Sequence, residues 1–318
     1  MSEGQERLLR DEDDNWHPVP TSRWFEHETS WFAFYVPEHA NLGAWVFNYL
    51  RPNAGISGGG VVLWDDTTWF HMETPYYRHY AAMPIPADPD LRDMHFPSGV
   101  SVKMIEPLQR YHLGFDDPPR LRFDLNFDGI MRPWVDVAEG VVPEHMDQMG
   151  HVTGYLELYG ERIKVDSYAM RDRSWSNTRH ERWETDAVGG YTCAAADAST
   201  SFFIMGYGPK KKGFLVREGT RSGLVEGSRE IDRHPQDGYI TRMRISGTDA
   251  LGRPFAVDCE CTSRIAMPIP GVGGVCWTSL FRCELDGREL WGEDQDFWSI
   301  YHWSETRRNQ SNRRLISS

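Results

Sequence analysis

Three titratable residues recur at even spacing in IKVDSYAMRDR (163–173), a run rich in β-branched and aromatic side chains: Asp166, Tyr168 and Asp172. Alternate side chains of a strand share a face. The three would therefore form one row with Lys164 and Met170. Ile163, Val165, Ser167, Ala169, Arg171 and Arg173 would take the opposite face. If the row lines the mouth of an apolar cavity, desolvation favours the neutral acid and suits Asp172 to general acid or base chemistry near neutrality. His145, in PEHMDQMG beside Gln148 and just ahead of a strand, is the best partner, because imidazole titrates closest to neutrality. Asp172, His145 and Tyr168 are thus the candidate catalytic residues. Trp175, Arg173, Arg171 and Gln148 are the candidate substrate-binding residues. Arginines can clamp a carboxylate, and an indole can stack on an unsaturated ligand or steady a carbocation. The same residues could instead pin a domain junction by ion pairs and one large aromatic anchor. His180 follows the motif as a weaker candidate.

Other chemistries lack their signatures. No Gly-x-Gly-x-x-Gly precedes a helix, and there is no phosphate-binding loop. GISGGG (55–60) leads into a strand and reads as a wide hairpin loop. No Gly-x-Ser-x-Gly elbow occurs. His71, His79, His95 and His112 lie near carboxylates, but His-x-His and Glu-x-x-His spacings are missing, so no metal is expected. No cofactor is expected either.

The elements that must position these residues read as strands. WFAFYV (31–36), AWVFNYL (44–50) and GGGVVLW (58–64) are aromatic and β-branched. LRFDLNFD (121–128) alternates apolar and polar residues, the period of a half-buried strand. GYLELYGERIKVDSYAMR (154–171) reads as a hairpin turning near Gly160. SFFIMGY (201–207) and GFLVR (213–217) read as short strands. Two further hairpins follow over 239–265 and 279–293, turning at Asp249 to Gly252 and at Asp286-Gly287. Only 296–306 shows helical spacing. Many short strands with hardly a helix imply an all-β chain, and closed barrels remove exposed strand edges. A barrel of eight or so strands takes about 150 residues, so two fit.

The chain has 318 residues and a net charge of −13. A nucleic-acid binder needs a basic face, and an anionic membrane surface also prefers one; neither partner is expected. No run is long and apolar enough for a spanning helix, and the N-terminus shows no secretion signal. Five cysteines is an odd number. Cys259-x-Cys261 lacks knuckle spacing and reads as small buried thiols. Together these point to the cytoplasm. Lys210 to Lys212 read as an exposed turn. The basic tail RRNQSNRR (307–314) reads as solvated or as a subunit contact, which keeps a homodimer open.

The segment HMDQMGHVTGYLELYGERIKVDSYAMRDRSWSNTRHE (145–181) resembles the two-barrel, lipocalin-like proteins related to carotenoid 1,2-hydratases (hydroxyneurosporene synthases), which also include Diels–Alder cyclases. Those proteins carry a His-x-x-Gln element, here His145 to Gln148. After a hairpin comes Arg-Asp-(His/Arg)-Ser-Trp-Gly, here Arg171 to Trp175 with Ser176 in place of Gly, then an arginine, here Arg179. The resemblance extends from about Asn15 to Trp303. It implies a lipocalin-like barrel over 15–180, a second over 181–306, and flexible tails at 1–14 and 307–318. The hydratase branch tends to have His where this chain has Arg173, and guanidinium is no proton carrier.

Two function classes follow. One is a cofactor-independent lyase, hydratase, isomerase or cyclase that applies acid–base chemistry to a hydrophobic isoprenoid, steroid or aromatic molecule. The other is a non-catalytic carrier of such ligands. Titratable residues converging on one site favour the enzyme; an all-apolar cavity favours the carrier.

Overall fold

The computed structural model describes residues 9–17, 28–135, 145–175, 189–207, 212–269 and 274–316. Two compact units emerge, one of residues 1–67 and 74–179, the other of 68–73 and 180–318. The expected division near 175–190 falls mostly outside the described residues, as do Ser176, Arg179, His180, Lys210 and Lys211.

The first unit is a curled ten-stranded antiparallel sheet. Its strands are β1 (Glu28–Val36), β2 (Leu42–Arg51), β3 (Ile56–Trp64), β4 (Tyr76–Pro84), β5 (Asp93–His95), β6 (Val100–Glu106), β7 (Arg110–Asp117), β8 (Leu121–Gly129), β9 (His145–Leu158) and β10 (Glu161–Ser174). The spatial order is β4-β3-β2-β1-β10-β9-β8-β7-β6-β5, so the first strand pairs with the tenth. β8 alternates buried and exposed along LRFDLNFD, as its period-two pattern requires. One face packs Phe32 against Tyr111 and Phe127, and Phe34 against Phe123. Edge-on and tilted ring pairs of this kind add to the area they bury.

The second unit is a closed eight-stranded barrel: β11 (Gly189–Asp197), β12 (Thr200–Tyr207), β13 (Lys212–Arg217), β14 (Thr220–Arg233), β15 (Ile240–Asp249), β16 (Pro254–Ile269), β17 (Gly274–Leu285) and β18 (Arg288–Ser299). β11 pairs with β18 to close it. The hairpins expected around Gly160, Asp249 to Gly252 and Asp286-Gly287 are all present. A helix, α1 (Ile300–Ile316), follows.

Several local expectations are corrected. Residues 296–299 pair with β17 within β18, so α1 starts only after the ladder ends and runs on through most of the expected flexible tail. Of the Gly-rich stretch, Gly55 lies in the turn that joins β2 to β3, while Ile56 to Gly60 are already strand. Gly59 and Gly60 have φ of 114° and 145°, and a Cβ there would meet Phe47 O at 2.0 Å and Arg78 O at 1.9 Å. Only glycine lets the neighbouring backbones come so close. Cys259 and Cys283 face each other across β16 and β17 and form a disulfide where buried thiols were expected, while Cys261 and Cys276 lie outside it. The partner of Cys259 lies 24 residues away, out of reach of any reading of Cys-x-Cys spacing. The N-terminal arm is no frayed tail over 9–14: Asp14 is wholly buried. No helix among the described residues is long and apolar enough to cross a membrane.

Candidate active site

β9 and β10 run antiparallel in register, with Asp172 opposite Asp147 and Ser174 opposite His145. Directly opposed side chains share a face. His145 and Asp147 share it too, being two residues apart on one strand. Asp172 also stands opposite Trp31 on β1, and Asp147 bridges to Trp134 on its other side. Two carboxylates are thus bracketed by two buried tryptophans in one cross-strand row. The row continues from Trp31 to Phe47, Gly60 and His79, an aromatic extension across β2, β3 and β4.

The His145 ring is held at both nitrogens. Nδ1 lies 2.9 Å from Ser174 Oγ. Nε2 lies 3.0 Å from Asp147 Oδ2. Donor atoms of His145, Asp147 and Asp172 all fall within 4.8 Å of one another. The Asp147 carboxylate lies beside Nε2 without a hydrogen bond to it, and the serine hydroxyl lies beside Nδ1. Asp147 is 1% exposed, and neither of its carboxylate oxygens receives a hydrogen bond. Two carboxylates this close, one of them buried, repel each other as anions. Among the described residues, this is the trio whose spacing would also let one divalent cation sit between its members.

The opposite face of β10 binds the protein to itself. Arg171 Nε donates to Gln148 Oε1 at 2.6 Å and Nη1 to Asp14 Oδ1 at 3.0 Å, while the guanidinium lies 4.1 Å from the Tyr111 ring centroid. Gln148 Nε2 donates to the carbonyls of Leu108 and Met131 at 2.7 and 2.6 Å. Arg173 donates to Glu28 Oε2 at 2.8 Å and to the carbonyls of Asp14 and Asn15 at 2.9 and 3.0 Å. Burial lowers the pKa of both guanidinium groups, and Asp14 and Glu28 oppose that shift. Buried charges persist only when paired and hydrogen-bonded in this way. Trp175 stacks on His17 with centroids 4.5 Å apart and packs with Leu9, Leu108, Val135 and Met146. Arg171, Arg173, Gln148 and Trp175 therefore hold the N-terminal arm against the sheet.

Of the sequence candidates, the structure brings together Asp172 and His145. It does not bring Tyr168 to them. Tyr168 lies four residues along β10, about 13 Å away at strand rise, and stacks on His151. Asp166 bonds His151 and Lys164 on the exposed side of the same strand. The row of three titratable groups exists, yet only its Asp172 end enters the cluster. Asp147 was missed. Its signal was present as His145-x-Asp147, two residues that share a strand face.

A family model described as a domain of unknown function (DUF7064) matches residues 10–294. The chain belongs to this family. No curated protein matches it. Among solved structures, an AttH protein from Nitrosomonas europaea superimposes with a TM-score of 0.60 at 14% identity, covering 89% of this chain and 94% of that one. Kievitone hydratase from Nectria haematococca gives 0.52 at 10% identity, covering 90% and 91%. CghA bound to Sch210972 gives 0.51 at 12% identity, covering 86% and 88%. This DUF7064 member shares their lipocalin-like fold, with one closed barrel and, where a first barrel was expected, a curled sheet that ends on β4 and β5.

Proposed function

We propose that this protein is a cofactor-independent enzyme of the lyase or isomerase type, adding or removing water or closing a ring on a hydrophobic small molecule. The observation that carries this reading is the convergence of His145, Asp147 and Asp172 within 4.8 Å between flanking tryptophans. A carrier needs no such cluster, and burying two neighbouring carboxylates works against stability unless they serve a purpose. The fold shared with a hydratase supports the same class by analogy.

The chemistry is proton transfer. In dehydration, a protonated carboxyl at Asp172 would donate to the departing hydroxyl. His145 would accept the proton from the adjacent carbon, with Asp147 steadying the imidazolium. Hydration runs the same steps in reverse. Ring closure would use Asp172 to polarise a carbonyl or alkene while Trp31 offers its π-face to developing positive charge.

The test is a panel of terpenoid, steroid and prenylated aryl alcohols and alkenes, followed by mass spectrometry for gain or loss of one water or for isobaric cyclisation. Conversion that depends on Asp172 and His145 supports the reading. Tight binding of panel members without conversion would move the protein to the carrier class.

A further inference from the structure

The closed barrel carries a second constellation that the proton-transfer site does not use. Arg264 on β16 stands opposite Ser279 on β17, Ser279 opposite Asp294 on β18, and Asp294 opposite Thr192 on β11. This row faces the barrel interior, where Asp294 is buried. Three arginines and two aspartates gather on this side. Asp294 accepts from Arg229 and from Thr192 Oγ1. Asp296 accepts from Arg233 Nη1 at 2.6 Å and from Trp298 Nε1 at 2.7 Å. Each carboxylate thus has its own arginine. Nearby Asp237 is held by Arg307 and His234.

Among the described residues, Arg264 is the cation on this side without a carboxylate of its own. No carboxylate among the described residues lies within ion-pair distance of it, and Asp294, two strands away, is about 10 Å off at ordinary strand spacing. Its Nε is buried without an acceptor. Its guanidinium lies 4.4 Å from the Trp69 centroid and 4.8 Å from that of Tyr239. Trp277, 1% exposed, packs 5.5 Å from both Tyr239 and Trp303, and its Nε1 likewise has no acceptor. Trp69, Tyr239 and Trp303 are themselves only half-buried. The site therefore combines a surplus positive charge, two buried donors without acceptors, and partly open aromatic walls.

We propose that this end of the barrel binds a small planar aromatic carboxylate, distinct from the molecule processed at Asp172 and His145. Its carboxylate would take the Arg264 fork and the Trp277 indole N–H, and its ring would lie among Trp69, Tyr239 and Trp303. Burying an N–H or guanidinium without an acceptor is unfavourable. A carboxylate ligand removes that cost and neutralises the surplus charge at once. A cationic or purely aliphatic ligand would do neither.

Isothermal titration calorimetry on the full chain, with 2-naphthoate and its neutral isostere 2-naphthamide as probes, tests the assignment. Naphthoate should bind at one site per chain, roughly tenfold or more tighter than the amide, because the charge-assisted pair is the stronger one. Arg264→Met should erase that preference. Trp277→Phe, which keeps a ring and deletes the N–H, should weaken naphthoate several-fold. Equal affinity for acid and amide, no binding of either, or undiminished naphthoate affinity in Arg264→Met would overturn the proposal. Should Arg264→Met fail to fold by circular dichroism, Trp69→Ala replaces it. That change removes a half-exposed ring outside the strand ladder, and unchanged naphthoate affinity there would overturn the proposal equally.

Discussion

Asp172 lies directly across the β9–β10 pair from Asp147, with His145 two residues from one and Ser174 two residues from the other. This places two carboxylates beside one imidazole on a single sheet face. Opposed like charges destabilise a strand pair by themselves, so the arrangement points to chemistry more than to architecture.

Asp172→Asn and His145→Gln keep shape and hydrogen bonding while removing the titrating group. Each should lower kcat on a converted panel substrate by about 10²–10⁴-fold. Turnover and melting temperature are measured on the same samples. Full activity per folded molecule in both variants would make the pair architectural.

Asp147→Asn should separate stability from activity. Neither oxygen of this buried carboxylate receives a hydrogen bond, so neutralising it should leave stability unchanged or raise it by about 1–2 kcal/mol. Turnover should still fall, because His145 loses the negative charge beside its Nε2 that would steady the imidazolium. Urea unfolding alongside kinetics reads both. A variant at once less stable and fully active would contradict the assignment.

Asp14→Ala should be strongly destabilising although the residue lies near the chain end. It strands the buried Arg171 guanidinium and the Leu108 amide that now donate to it. Breaking one side of a buried pair costs about 3–5 kcal/mol, read as a drop in the urea midpoint. A change under about 1 kcal/mol would place the arm's contribution among ordinary surface pairs.

Stability should fall in acid partly through His79. Burial beside Phe47 pushes its imidazole down to about 4 from 6.5. Between those values the unfolded chain binds more protons, so this contribution is full above the unfolded pKa and is lost as pH falls toward 4, by roughly 3 kcal/mol at most. Asp294 acts oppositely: burial pushes it up to about 6 from 3.8, so its contribution is present in acid and lost as pH rises through 6. In His79→Phe, the stability lost between about pH 7 and about pH 4.5 should shrink by roughly 2 kcal/mol relative to the parent. Identical losses would reject the assignment to His79.

Turnover should survive exhaustive chelation, since proton transfer among the three groups needs no ion. Loss of activity that one added divalent metal restores would instead make His145, Asp147 and Asp172 a cation site.

Local pattern was legible in the sequence wherever one strand's two faces differ. The alternation of LRFDLNFD, the hairpin about Gly160 and the all-β class followed from period and turn chemistry alone. The Asp172–His145 pairing was legible in part, because a single hairpin sets their register. Asp147 escaped notice although it shares a strand face with His145. Both faces of β10 near its end carry charged residues, so alternation could not say which face meets the core. Tertiary structure decided that Arg171 and Arg173 face inward, because their partners Asp14 and Glu28 lie 157 and 145 residues away. It likewise decided that Cys259 meets Cys283, and that Arg264, among the described residues of its end of the barrel, has no carboxylate beside it. Each depends on which distant side chain arrives at a given spot. Periodicity reports only how a segment divides between wet and dry; closing the sheet and the barrel selects the partners.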